Sequence, residues 1–294
     1  PNDVALAAAR YAKKNDIPFV VDVNDLWPEA MRMVIDIPIV SNMLFYPLLR
    51  DAEKVYSLCS GVVGTSDEYA GRPFLRNKRN VPSETVYVGN ELKVFDEGAE
   101  RFMPELKKGE DEFWVTYAGT IGTSYDIKTM VLSADYLKRR GYGNIFIKIL
   151  GGGPLKDELE NLAYTLKGNV EFVGYAPYEK MAAYLKKSDV LVNSFVKKAP
   201  QSIVTKIGDY LAAGKPMINT CSSLEFREKV ETDKFGINIE AENVEILADA
   251  ILKLYKDVNM RKNMGGMARK VAEEEFDRPI SYKKIVDLME KLMS

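Results

Sequence analysis

Gln201, Thr205, Lys206 and Asp209 lie close together in the stretch between Val192 and Asn219. Around them Ile203, Ile207, Tyr210 and Leu211 recur at helical spacing and predict one buried stripe. That stripe leaves Gln201, Thr205 or Lys206, and Asp209 to point toward the ends of neighbouring strands. A lysine in a first helical turn sits beside free backbone amides and makes an anion site. A carboxylate one turn later accepts hydrogen bonds from a diol. The competing reading of the charged pair, taken alone, is an amphipathic helix with a solvated lysine and aspartate.

Two glycine-rich turns could face the same ligand. Ala118-Gly-Thr-Ile-Gly-Thr-Ser124 follows an apolar run and precedes a helix beginning near Tyr125 or Asp126. Its glycines let backbone approach a ligand closely, and the amides of the following helix favour an anion. A plain turn capped by Ser124 or Asp126 accounts for it equally well. Gly151-Gly-Gly-Pro154 is a tight turn and not a dinucleotide fingerprint, because Lys156 stands where the third glycine belongs.

Composition removes several chemistries. The 294 residues include no histidine, which excludes a histidine base, a histidine metal ligand and a Ser-His-Asp triad. Lys plus Arg is 41 against 43 Asp plus Glu, so no basic excess points to nucleic acid. Asp22-Val-Asn-Asp25 has the wrong spacing for a D-x-D metal motif, and no metal site is expected. Cys59 and Cys221 stand far apart and read as two buried thiols in a reducing cytoplasm, in preference to a long-range disulfide. No apolar run reaches the roughly 18 residues of a membrane span.

The elements that must position these residues fall into two segments. Up to about Asp96, strand-like runs occur at Phe19–Val23, Gly61–Thr65 and Thr85–Val88, with helices at Asp3–Lys14 and Asn42–Leu58. In the first helix Val4, Ala5, Ala8 and Tyr11 are read as the packed face. The chain opens at Pro1 in mid-pattern, and three strands make a thin sheet, so this segment is expected to be an incomplete domain. The second segment alternates strands with helices. Its strands are Phe113–Tyr117, Ile145–Leu150, Val170–Val173, Val190–Val192, Pro216–Asn219 and Phe235–Ile239. Its helical stripes include Ile127, Met130, Val131, Ala134 and Leu137. Such alternation predicts right-handed βαβ units and an α/β fold with a six-stranded, parallel, doubly wound Rossmann-like sheet. The expected domains are 1–97, 98–278 and a last helix in 279–294.

Several motifs in matching order carry a resemblance. Asp209-Tyr-Leu-Ala-Ala-Gly-Lys-Pro-Met-Ile218 resembles the E-[AY]-[ML]-A-x-G-x-P-V-[IV] signature of retaining family 4 glycosyltransferases. Val204-Thr-Lys-Ile-Gly-Asp-Tyr210 is similar to the variant found in enzymes of bacterial surface-polysaccharide synthesis (capsule and O-antigen). Tyr117-Ala-Gly-Thr-Ile-Gly122, Leu150-Gly-Gly-Gly-Pro154 and Val170-Glu-Phe-Val-Gly174 resemble donor-domain loops of that family. Asp22-Val-Asn-Asp-Leu-Trp-Pro-Glu29 resembles an acceptor-domain segment, and Val86-Tyr-Val-Gly-Asn90 sits where v-i-P-N-G precedes the linker.

The resemblance implies two Rossmann-like domains of the GT-B type, with the last helix, Ile280 to Leu292, crossing back to the acceptor domain. It implies a hexosyltransferase-type enzyme that moves a sugar from a nucleotide-sugar to a glycan or lipid-linked acceptor, with retention and without a metal or other cofactor. In the family's E-x7-E motif the first Glu lies near the donor sugar and the second binds the ribose; Gln201 and Asp209 hold those positions here. Lys206 and Gln201 are then the catalytic candidates. Gly119, Thr120, Gly122, Gly174, Tyr175, Thr205, Lys206 and Asp209 are the donor-binding candidates, with the base near Gly174-Tyr175. Tyr125 falls where relatives carry Lys or Arg, which leaves the phosphate charge mainly to Lys206. The alternatives are a donor-binding, non-catalytic subunit or a truncated fragment needing a partner, and a sugar-nucleotide epimerase. The implied location is cytoplasmic, peripheral at the inner membrane. For Ile35–Leu49, flanked by Arg32 and Arg50, a buried acceptor-domain helix is favoured over an interfacial face made by Met43, Leu44, Phe45, Tyr46, Leu48 and Leu49.

Overall fold

The computed structural model describes residues 2–25, 38–75, 80–199 and 203–294, without the side chains of 38–42 and 44. Gln201, Arg32, Ile35, the Leu44 side chain and the Leu26-Trp-Pro-Glu29 part of the acceptor-side motif therefore lie outside the described residues. The chain divides into two compact units, Pro1–Tyr87 with Pro279–Ser294, and Val88–Arg278.

The first unit runs α1 (Asn2–Lys14), β1 (Val20–Val23), α2 (Pro38–Leu58), β2 (Gly61–Gly64), α3 (Asp67–Gly71) and β3 (Ser83–Thr85). The three strands form a parallel sheet in the order β1-β2-β3. Alternate residues of β2 serve opposite faces, as the strand period requires. Val62 packs with Val23 and Cys59 on one side, and Val63 with Val86 and Leu288 on the other. The second face is covered by a helix from the far end of the sequence, through Ile285, Leu288 and Leu292.

Two sequence expectations shift here. The packed face of α1 is Leu6, Ala9 and Ala12, while Val4 and Tyr11 are about two-thirds exposed, at 65% and 66%. α1 packs against α2, and the side it buries is the one that carries Leu6. β3 pairs over Ser83–Thr85 and not over Thr85–Val88. Its paired residues are polar because it lies at the sheet edge, whereas the buried Val86 and Tyr87 follow the ladder.

The second unit continues with α4 (Leu92–Phe102), β4 (Phe113–Ala118), α5 (Ile127–Arg139), β5 (Ile145–Leu150), α6 (Lys156–Leu166), β6 (Val170–Gly174) and α7 (Tyr178–Lys187). Then come β7 (Val190–Asn193), α8 (Lys206–Ala212), β8 (Met217–Asn219), α9 (Leu224–Thr232), β9 (Gly236–Asn238), α10 (Val244–Lys256) and α11 (Val258–Val271). The sheet is wholly parallel in the order β6-β5-β4-β7-β8-β9. Counting from its first strand, that is the 3-2-1-4-5-6 order of a doubly wound dinucleotide-type fold. The order reverses between β4 and β7.

Val115, Ile147, Val190, Val192 and Ile218 are fully buried, as strands covered on both faces must be. The whole predicted α5 stripe is buried against them, and Asp126 caps that helix by accepting from Thr129 N at 3.2 Å. The final helical stretch is split into α12 (Arg278–Ser281) and α13 (Lys283–Met293), and α13 is the helix that covers the three-stranded sheet. Cys59 and Cys221 are both free and buried.

Candidate functional site

The loops after β4, β5 and β6 enclose an open cleft of about 450 Å³. Gly119, Thr120, Gly151, Gly152 and Tyr175 line it, with Met181 of α7 at one side. Backbone bonds lace these loops together. Gly119 N donates to Leu150 O at 3.0 Å, Ile121 N to Gly152 O at 2.9 Å, and Gly151 N to Gly174 O at 2.8 Å. The Tyr117 hydroxyl donates to Thr120 O at 2.8 Å and fixes the first loop from below. Gly151 has φ +123°, and a Cβ there would lie 1.9 Å from Gly119 O. Only glycine allows the two loops this approach. Tyr175 is 87% exposed at the rim and offers a flat face for a planar ligand to stack on.

α8 is anchored beside this cleft. The Tyr210 hydroxyl accepts from Ala118 N at 2.8 Å, and Ala118 is itself part of the lining. Lys206 opens the helix, and its Nζ lies 4.4 Å from the Tyr117 ring centroid, 4.3 Å from Tyr125 and 5.0 Å from Phe195. That nitrogen is buried and has no hydrogen-bond partner among the described residues. Burial without a counter-charge depresses the ammonium to a pKa of about 7, with only a small opposing influence from Cys221. Three aromatic faces partly compensate the lost hydration.

One turn on, Asp209 Oδ1 accepts from the Tyr178 hydroxyl at 2.8 Å and from Asn90 Nδ2 at 2.9 Å. Burial pushes this carboxyl above its ordinary value, against the two hydrogen bonds and the charge of Arg278, which hold it down. Asn90 is fixed by its backbone. Its N–H donates to Phe276 O at 3.0 Å, and its carbonyl accepts from Arg278 N at 3.0 Å.

Of the residues chosen from sequence, Gly119, Thr120 and Tyr175 line the cleft together. Gly122 and Gly174 stand behind it as backbone acceptors, for Tyr125 N and Gly151 N respectively. Lys206 and Asp209 share α8 but meet different partners, and Thr205 precedes the helix without a side-chain capping bond. Sequence reasoning passed over Phe195, Tyr178 and Asn90 as site residues. Asn90 had a signal, its place in the v-i-P-N-G-like segment; Phe195 and Tyr178 had none. A second cleft, of about 300 Å³, opens in the first unit at the carboxyl end of β1, where Asp22, Asn24 and Asp25 are among its lining residues. Among the described residues no group of three or more His, Cys, Asp or Glu is placed to hold a metal ion, and no helix is long and apolar enough to cross a membrane.

Comparison with known proteins places this geometry. The family model described as glycosyl transferases group 1 matches residues 99–271. An uncharacterized glycosyltransferase of Methanocaldococcus jannaschii is 24% identical over 221 residues, covering 74% of this chain and 54% of that protein. The chain thus spans about half the length of this curated relative. Anabaena HepE, solved in complex with UDP, superposes with a TM-score of 0.76 at 15% identity, over 99% of this chain and 77% of that one. WaaG, a glycosyltransferase involved in lipopolysaccharide biosynthesis, gives a TM-score of 0.67 at 13% identity, over 96% of this chain and 80% of that one. These likenesses show the fold, the two-domain Rossmann-like architecture termed GT-B.

Proposed function

We propose a reaction from this premise: the chain belongs to the glycosyl transferases group 1 family, whose model matches residues 99–271. The reaction is transfer of a sugar from a nucleotide-sugar to the hydroxyl of a glycan or lipid-linked acceptor, with retention and without a metal ion. One observation carries it. The nitrogen of Lys206 is buried without a hydrogen-bond partner among the described residues, and it lies over Tyr117, whose hydroxyl holds Thr120 in the lining of the glycine-walled cleft. An unpaired buried ammonium is costly, and a diphosphate is the ligand that relieves the cost.

In this reading the base stacks at Tyr175, the backbone of Gly119 and Thr120 approaches the diphosphate, and Asp209 accepts from the ribose hydroxyls. Lys206 gains most as charge builds on the departing diphosphate, the role a metal plays in other transferases. Gly122, Gly174 and Thr205 support these loops. Gln201 keeps a hydrogen bond near the donor sugar without a charge. The cleft beside Asp22 and Asp25 is the acceptor side. HepE, solved with UDP, and WaaG, named for lipopolysaccharide biosynthesis, support a nucleotide-sugar donor and a surface-polysaccharide acceptor.

On the membrane side, Phe45 and Leu49 are buried while Met43 and Tyr46 are exposed, at 83% and 63%. α2 is then a core helix whose outer edge touches the cytoplasmic leaflet peripherally. A second reading, a donor-binding subunit that does not catalyse, is favoured by one observation: Gln stands at position 201, where the resembling enzymes carry Glu.

Incubation with a panel of nucleotide-sugars and lipid-linked glycans tests the proposal. Free nucleoside diphosphate together with a lengthened glycan is the expected result. Diphosphate binding without transfer, restored by Gln201→Glu, would establish the second reading, and no diphosphate binding would refute both.

A further inference from the structure

We propose that Asn90 and Tyr178 are positioning residues that aim Asp209 at the ribose diol of the donor, an inference that rests on the nucleotide-sugar reading above. Three elements remote in sequence meet at this carboxylate: the loop before α4, the first turn of α7, and α8. Both donors converge on one oxygen, Oδ1, with Asn90 Nδ2 also 3.4 Å from the Tyr178 oxygen. Oδ2 has no hydrogen bond among the described residues. The carboxylate is therefore turned to a fixed angle with one acceptor left open.

A purely structural tie would look different, and the same unit contains one. Asp96 takes Arg269 on both oxygens, at 2.9 and 2.8 Å, and Lys186 at 2.6 Å, so its charge is met by cations and no oxygen is left over. Asp209 has neutral donors only. The nearest cation, Arg278, directs its Nε to Gly89 O at 2.8 Å. Asn90 moreover leaves its own Oδ1 buried and without a partner among the described residues while Nδ2 is presented to Asp209. A protein that needed only packing here would do better with an apolar residue than with a half-buried carboxylate held by neutral groups.

The location fits a ribose. Tyr178 stands one turn before Met181, and Tyr210, next to Asp209, bonds Ala118; Met181 and Ala118 both line the glycine cleft. Asp209 is thus held at the flank of the space assigned to the nucleotide. Aspartate is shorter than the glutamate of the resembling enzymes, and a shorter side chain needs firmer aiming to reach the same diol. Two donors on one oxygen supply that aim.

The test is ribose selectivity. Affinities of the parent chain, Tyr178→Phe, Asn90→Ala and Asp209→Ala are measured for UDP, ADP and GDP and for the 2′,3′-dideoxy form of each. The parent is expected to prefer the ribose form. Asp209→Ala should abolish that preference, and Tyr178→Phe and Asn90→Ala should each reduce it about 5-fold, the equivalent of one misaligned hydrogen bond. Tyr178→Phe keeps the ring and its edge contact with Phe95, so it separates aiming from folding. Both variants retaining the parental preference while Asp209→Ala loses it would overturn the positioning role and leave the donor reading intact. A parent that binds a diphosphate without preferring ribose would overturn the assignment of Asp209. A parent that binds none of the three would overturn the donor reading, and this inference with it.

Discussion

Lys148 and Lys206 belong to the same unit, and each lies against aromatic rings, yet among the described residues only Lys148 is paired. Lys148 Nζ stands 4.3 Å from the Trp114 ring and 5.4 Å from Phe146, and it forms an ion pair with Glu171. Lys206 has three rings at similar distances and no hydrogen-bond partner for its nitrogen among the described residues. The first is a finished interaction: stem packed, charge answered, the partner half in solvent. The second is unfinished. A buried cation without an anion destabilises the fold that contains it, and such a cost marks a place where a ligand completes the structure.

The largest separation of the two should appear in turnover. Lys206→Ala removes a charge-assisted contact that strengthens as the diphosphate leaves and should raise the barrier by about 2–3 kcal/mol. Lys148→Ala should leave steady-state turnover at the parental level. Equal losses from both variants would break the distinction.

Stability should move the other way. Lys206→Met replaces an unsatisfied buried amine by an apolar side chain of similar shape and should stabilise the ligand-free protein by about 1–3 kcal/mol. Lys148→Met loses an ion pair and a cation–π contact and should cost about 1 kcal/mol. Denaturant unfolding of the two variants reads both signs.

The pH dependence of that stability separates the two as well. Unfolded Lys206 keeps its proton to its ordinary value of 10.5, while the folded residue releases it from about 7. Between those limits the unfolded chain binds more protons, so stability should rise with pH through that window. In Lys206→Met this increment should be missing, and unfolding titrations at pH 7 and pH 9.5 compare the two slopes. Tyr125→Phe sharpens the picture at the smallest scale. It keeps the ring face over Lys206 and should change stability by less than about 0.5 kcal/mol.

Much of this arrangement was legible in the residues. Apart from β3, the strands of the described residues announce themselves because their apolar runs are short and bounded by turns. Gly119 and Thr120 could be singled out because ligands of doubly wound sheets bind where strands end, and Tyr175 only through the family resemblance. Lys206 could be chosen by type and position, but its surroundings could not. Tyr117, Tyr125 and Phe195 come from β4, the loop after it and the loop after β7, and only the strand order 6-5-4-7 brings them together. The meeting of Asn90 and Tyr178 with Asp209 was hidden for the same reason, since all three are distant in sequence, although Asn90 alone carried a motif signal. The packed face of α1 was misread because both faces carry two alanines, and the larger Val4 and Tyr11 drew the reading away from Leu6, Ala9 and Ala12. The shift of β3 came from an edge strand whose paired residues are polar.

The central claim, that Lys206 waits for the donor's diphosphate, is tested most directly by proton uptake. Calorimetric titration of the parent chain with UDP, ADP and GDP at pH 8, in two buffers of different ionisation enthalpy, counts protons taken up on binding. With a ligand-free value of about 7, Lys206 is mostly neutral at that pH and must become charged beside a phosphate. The predicted result is uptake of close to one proton by the parent and none by Lys206→Met, which should also bind more weakly. Binding with no proton uptake, at the same affinity in Lys206→Met, would contradict the claim and move the diphosphate away from this lysine.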